Sequence, residues 1–140
     1  MARSFVSAVV LAMMLVSTMP LSVNAEDSGG VQASTSTVAI SPSNPVEGGS
    51  VTIRLTLYNS NNFEAEDVFY GFYWNDYPNN LISANTVDIP AQGTVDVEVV
   101  KSGLTYEEDG HKVWIEFEYN DGGMEFFYSE VVVAGLPDLE

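Results

Sequence analysis

The sequence predicts an all-β protein of about seven short antiparallel strands, arranged as a sandwich or barrel. Three observations predict it. Apolar residues recur with period 2 along "SVTIRLTLY", "TVDVEVV" and "HKVWIEFEY", the spacing of side chains on alternate faces of a strand. These runs are short and are punctuated by Pro, Gly and Asn, which supply the backbone angles that turns require. After residue 25 no segment carries the 3.6-residue periodicity of an amphipathic helix.

Residues 1–25 read as a cleavable signal peptide. Arg3 supplies a positive start and "FVSAVVLAMMLV" an apolar centre, while "STMPLSVNA" adds a helix-breaking Pro20 and small or aliphatic residues at Val23 and Ala25. Cleavage is expected after Ala25. The competing reading is an uncleaved membrane anchor, but the apolar run is shorter than the roughly 20 residues that span a bilayer. The mature chain is expected to be secreted, extracellular or held at the cell surface, with no membrane insertion after cleavage. Residues 26–34, "EDSGGVQAS", are small and polar and read as a flexible leader. Residues 35–135 are expected to form one domain and 136–140 a tail.

The first strand is expected at 35–40. In "SPSNPVEGG" Pro42 and Pro45 fix φ and remove donors, and Gly48 and Gly49 permit positive φ, so this stretch is a turn. The strand at 50–58 alternates cleanly, with Val51, Ile53, Leu55 and Leu57 inward and Thr52, Arg54, Thr56 and Tyr58 outward. One polar face means that its other face lies on a core. "NSNNFEAE" is a loop. The run at 67–74 is apolar or aromatic on both faces, as suits a central strand. Val68, Tyr70, Phe72 and Trp74 share one face, and Phe69, Gly71 and Tyr73 the other. Weaker alternation gives a strand at 81–89, "PAQG" a turn, and Val95, Val97 and Val99 against Asp96 and Glu98 a strand at 94–100. The last two strands, 111–119 and 124–133, flank "NDGG", a hairpin signal because these residues tolerate the positive φ of tight β-turns. Val113, Ile115, Phe117 and Tyr119 should face inward, with Lys112, Trp114, Glu116 and Glu118 outward.

The stretch "VAISPSNPVEGGSVTIRLTLYNSNNFEAEDVFYGFYWND" resembles the first half of a CARDB domain, the cell-adhesion-related domain of bacterial and archaeal surface proteins. The likeness is carried by a strand followed by "SPSNPVEGGSVTI", by "LYNSNNFEAEDV" with Asn59 at a strand end, and by the aromatic strand that follows. "VDIPAQGTVDVEV" is similar to the family's small Gly-containing turn before a Val-rich strand. The likeness spans residues 36–119. It implies an immunoglobulin-like β-sandwich of about seven antiparallel strands in an extracellular or cell-envelope setting, serving as an accessory module and not a catalyst. Family members commonly close with an acidic segment ending in paired asparagines, where this chain has "YNDGGMEFFYSEVVV".

Charge excludes one function class. The formal net charge is −16, from 20 acids against four basic residues, of which only Arg54, Lys101 and Lys112 follow residue 25. Such a field repels phosphates, so no nucleic acid is expected as a partner. It also suits solubility in a salt-rich medium, where self-repulsion is screened beyond about 8 Å or less. The chain has no cysteine, so no disulfide or thiol chemistry is expected.

Catalysis finds little support. The single histidine, His111, could pair with Glu107, Glu108 or Asp109 as acid and base, but a strand-edge histidine in an acidic field explains it as well. A small hydrolase using acidic residues is the alternative of another class. Carboxylate pairs arise by chance among 20 acids, and a glycosidase needs two of them across a cleft. No cofactor is expected. Calcium, which takes six to eight oxygens, is the alternative, with Glu107, Glu108 and Asp109 as ligands ahead of the Asn120–Gly123 loop and the Glu64, Glu66 and Asp67 cluster. Aromatic residues provide the candidate binding surface. Trp114 falls on an outward face, as do Tyr58 and Phe127 in the expected registers, and Tyr73 and Tyr77 lie on or beside the aromatic strand. A flat aromatic row on one sheet suits stacking on sugar rings, and it suits a protein contact equally well. The expected function is a non-catalytic binding or adhesion-type module that engages a protein or surface component, with a calcium- or carbohydrate-binding module as the alternative.

Overall fold

The computed structural model describes residues 25–136. The expected signal peptide lies outside the described residues apart from Ala25, and so does the tail beyond Leu136. Nine strands occur among the described residues: β1 (Glu26–Ser28), β2 (Val31–Ala33), β3 (Val38–Ser41), β4 (Ser50–Asn59), β5 (Ala65–Trp74), β6 (Leu81–Ile89), β7 (Thr94–Ser102), β8 (His111–Glu118) and β9 (Glu125–Val131). One turn of 3₁₀ helix, Thr35–Thr37, separates β2 from β3. The described residues are therefore all-β apart from that single turn, as the alternation predicts.

The strands form two antiparallel sheets. In the first, β4 is central. β7 runs along one of its edges, β2 and β3 share the other, and β1 lies outside β2. The second has the order β6-β5-β8-β9. Both contribute to one core. Val51, Ile53, Leu55 and Leu57 of β4 cluster with Val68 and Phe72 of β5 and with Val113, Ile115 and Phe117 of β8. Each such side chain removed from water contributes about 1.5–3 kcal/mol, and together they hold the sheets face to face. The alternation in β4 and β8 thus fixes which residues point away from the core.

The start of the domain differs from expectation. Residues 26–34 are not a flexible leader. They make the β1–β2 hairpin, and Val31 and Ala33 are fully buried in the core. Gly29 and Gly30 turn this hairpin with φ of 59° and 92°, angles that glycine adopts without strain. Composition misleads here because only two apolar side chains have to point inward. The strand expected at 35–40 begins only at Val38. Thr37 donates its backbone N–H and its hydroxyl to the Ser34 carbonyl, each at 2.9 Å, so local side-chain bonding bends the chain out of the ladder.

Asn59 lies where β4 ends and is fully buried. Its amide donates to the carbonyls of Phe63, Ile89 and Pro90 at 2.8–3.1 Å, and its Oδ1 accepts the Asn61 N–H at 3.0 Å. It ties the β4–β5 loop to the end of β6 and the turn that follows, and gives their carbonyls a hydrogen-bond donor.

The last hairpin is displaced by one residue from the register expected above. Phe117 pairs with Glu125, Ile115 with Phe127 and Trp114 with Tyr128. Phe127 therefore faces the core, packing edge-to-face on Phe117 with ring centroids 6.5 Å apart, and is not on the outer face. Phe126 and Tyr128 are outside instead. The cause lies in β1. The fully buried Ser28 Oγ accepts the Tyr119 N–H at 2.9 Å and donates to the Gly123 carbonyl at 2.6 Å. Tyr119 is thereby drawn out of the hairpin ladder and into the loop.

Candidate functional site

The two outer faces differ in chemistry. On the first sheet, β4 and β7 present Thr52, Arg54 and Thr56 beside Asp96 and Glu98. Arg54 pairs with Glu98 at 2.7 Å, and Thr56 donates to Asp96 at 2.6 Å. That face is polar and solvated. Tyr58 lies on it, paired in register with Gln32 and Thr94, so it stands on the opposite sheet from the other candidate aromatics.

The outer face of the second sheet is aromatic. Cross-strand register places Tyr73 of β5, Trp114 of β8 and Tyr128 of β9 in one row. The next row holds Gly71, Glu116 and Phe126. Tyr77, from the β5–β6 turn, folds back over both. Its ring lies 5.8 Å from that of Trp114 and 5.1 Å from that of Phe126, at interplanar angles of 28° and 18°. The Trp114 and Tyr128 rings are 4.9 Å apart. Such separations are those of favourable aromatic pairs. Phe126 and Tyr128 remain 50% and 39% exposed, so part of the cluster faces solvent as a platform.

Four polar contacts hold the platform in place. Glu116, expected outward, does face this side of the sheet but is buried beneath Tyr77 at 6% exposure. One of its oxygens accepts the Tyr73 hydroxyl and the other accepts the Tyr77 hydroxyl at 2.8 Å. A buried carboxylate is costly unless its lone pairs are met, and two phenols meet them. Gly71 makes the space: a Cβ there would lie 3.2 Å from a Glu116 oxygen and 3.4 Å from the Tyr73 ring. Burial first, and the bond to Glu116 second, push the Tyr77 phenol up to about 12 and move Tyr73 in the same direction. Trp114 donates its indole N–H to the Asn75 carbonyl at 3.2 Å. Lys112 lies over the Tyr128 ring, 4.7 Å from its centroid.

Asn75 is among the residues that the sequence did not single out. It has φ of 65°, a conformation asparagine tolerates better than most residues. Its Oδ1 accepts the Lys112 N–H at 2.9 Å, so its amide nitrogen must donate to His111 Nδ1, 3.0 Å away. His111 Nε2 then donates to the Thr105 carbonyl at 2.7 Å. His111 is buried against Trp74, with ring centroids 4.9 Å apart. It begins β8, as expected, but its ring is buried and bonded to Asn75 and Thr105, and is not paired with Glu107, Glu108 or Asp109. Those three carboxylates are exposed on a tight turn closed by the Gly110 N–H on the Glu107 carbonyl at 2.9 Å. Among the described residues no group of three or more His, Cys, Asp or Glu side chains is placed to hold a metal ion. Among them, too, no helix is long and apolar enough to cross a membrane.

Of the expected site residues, the structure brings Tyr73, Tyr77 and Trp114 together and separates Tyr58 and Phe127 from them. It adds Phe126, Tyr128, Glu116 and Asn75. An open groove beside β9 is lined by Trp114, Thr35 and residues 126–130. Thr35 donates its hydroxyl to the Tyr128 carbonyl at 3.0 Å, occupying one position on the outer edge of β9.

No family model matches the chain, and no curated protein matches its sequence. Solved structures do resemble it in fold. The solution structure of GmR58A from Geobacter metallireducens is 19% identical with a TM-score of 0.57, and the match covers 74% of this chain and 95% of that one. The crystal structure of Spo0M, a sporulation control protein from Bacillus subtilis, is 9% identical with a TM-score of 0.52, covering 76% of this chain and 50% of that one. At these identities the likeness is one of fold alone.

Proposed function

We propose that this chain is an exported immunoglobulin-like β-sandwich that acts without catalysis, as a binding or adhesion-type module engaging another protein or a cell-surface component. The observation that carries the reading is the aromatic platform. Trp114, Tyr77, Phe126 and Tyr128 cluster on the outside of one sheet, whereas the other sheet's outer face is charged and solvated. Exposed rings held in fixed geometry are characteristic of contact surfaces, since they bury area at small conformational cost. The N-terminal apolar segment supports export, and the likeness to CARDB domains over residues 36–119 supports an accessory role. A carbohydrate ligand is the second reading, favoured by the cross-strand alignment of Tyr73, Trp114 and Tyr128.

The test is binding of labelled protein, residues 26–140, to envelope fractions of the cells that produce it. The wild-type chain is expected to bind saturably. A Trp114→Ala/Phe126→Ala variant with an unchanged circular dichroism spectrum is expected to bind about tenfold or more weakly, as central aromatic anchors do. Loss of binding after protease treatment of the envelopes identifies a protein partner. Binding that survives protease, together with retardation in polysaccharide gels, favours the carbohydrate reading. Equal binding by variant and wild type, or none by either, overturns the proposal.

A further inference from the structure

We infer that the platform's partner is cationic: a peptide segment whose guanidinium or ammonium groups stack on Trp114, Phe126 and Tyr128 and pair with Glu130. This rests on the binding-module reading and specifies its partner. Four observations lead to it.

The groove beside β9 is lined by these three rings, and Glu130 is its only charged lining residue. A carboxylate at the border of exposed ring faces is the arrangement that recognises a cation, because the face of an aromatic ring is electronegative. The molecule already uses its rings in this way. The Lys112 ammonium sits 4.7 Å from the Tyr128 centroid, and the Lys101 ammonium 5.5 Å from that of Trp74. Arg54, on the other sheet, is paired with Glu98. The three cations among the described residues thus have partners, and the chain as a whole carries −16. An incoming cation meets attraction at long range as well as at contact, which raises its association rate.

The platform also lacks what a sugar would ask of it. The hydroxyls of Tyr73 and Tyr77 are both given to Glu116, and the indole N–H of Trp114 to Asn75. Flat ring faces remain, with few free donors between them. A guanidinium group suits such a surface best, being planar and weakly hydrated.

The experiment is calorimetric titration of the chain, residues 26–140, with acetylated tri-arginine amide and with the same peptide carrying citrulline for arginine, at about 0.15 M salt, where diffuse charge is largely screened. The arginine peptide is expected to bind and the citrulline peptide not to. Phe126→Ala, Tyr128→Ala and Glu130→Gln are each expected to weaken the arginine peptide about three- to tenfold. Glu64→Gln/Glu66→Gln, exposed at the start of β5 with β8 lying between β5 and β9, should leave it unchanged. Preserved amide NMR spectra of the variants separate a lost contact from a lost fold. Equal binding of both peptides overturns the inference, as does equal weakening by the remote variant, which would mean attraction to the net charge alone. Absence of arginine-peptide binding in a chain that still binds envelopes through Trp114 overturns it too, while leaving the binding-module reading intact. Absence of both sinks the two together.

Discussion

Glu116 shows how far a single residue's environment can be read from sequence. Alternation along β8 puts it on the outer face beside Trp114, and it is there. Alternation does not reveal that Tyr77, arriving from a turn, covers it. Whether a turn residue folds back over a sheet depends on the local chain path, here set by Asn75 at φ of 65° and by the bonds it makes to β8. The resulting bonds have a spectroscopic consequence. Tyr77 is raised from an ordinary value of 10 to about 12, and Tyr73 is raised as well, by burial first and by the carboxylate second. Following phenolate absorbance near 295 nm should show two tyrosines that ionise late, and Glu116→Gln should bring both forward. The folded state holds these protons more tightly than the unfolded chain. Their contribution to stability is therefore complete below pH 10; that of Tyr77 disappears as pH climbs through about 12, and that of Tyr73 only at higher pH. Two late phenols that persist unchanged in Glu116→Gln would mean that burial alone sets their behaviour.

At the scale of elements, seven of the nine strands follow the sequence pattern closely, and the two that do not account for a further error. Residues 26–34 look unstructured because they are polar and contain two glycines. Their contribution to the core is only Val31 and Ala33, too little for periodicity to register. Missing β1 means missing Ser28, whose hydroxyl takes Tyr119 out of the last ladder. A four-residue Asn-Asp-Gly-Gly turn would set Phe127 opposite Glu116, on the outer face. The observed pairing sets Phe126 there, and the "FFY" run, apolar at consecutive positions, gives no signal against either choice. The joint between β1 and this turn is tight. A Cβ at Gly122 would fall 2.1 Å from the Gly29 nitrogen, so Gly122→Ala cannot be accommodated without moving one segment off the other. The expected result is a loss of about 1–3 kcal/mol in urea unfolding, the usual cost of overpacking. Amide exchange should quicken in β1, β2 and the 119–123 turn and stay slow in β4 and β8. Uniform acceleration throughout the molecule would contradict this account.

Across the whole molecule, acidity and fold meet at one place where stability runs against the usual trend for carboxylates. Glu125, at the start of β9, is raised above its ordinary 4.5, chiefly by a hydrogen bond with Glu26 of β1, then by partial burial and by the charges of Glu26 and Asp27. A carboxyl group raised on folding binds its proton more tightly in the native state. Its contribution is complete below 4.5 and fades as pH rises through the folded value. Lowering the pH toward 4.5 should therefore raise the melting midpoint, in the direction that also relieves repulsion within a chain of net charge −16. Glu125→Gln should raise the midpoint at pH 7 and flatten its dependence on pH. A midpoint that falls on mild acidification, in wild type and variant alike, would assign the dependence to other groups.

The bond from Ser28 to Tyr119 joins residues 91 positions apart. A chain synthesised from its N-terminus has its opening hairpin ready long before the segment that fastens it exists. Val31 and Ala33 can settle against β4 early, but β1 is held by β2 alone until the final turn emerges. Closure of this end of the sandwich is then a single late event, slow in the manner of topologies dominated by distant pairings. A nascent chain stopped short of residue 119 would carry a loose first strand, and with it an open edge for pairing with its neighbours.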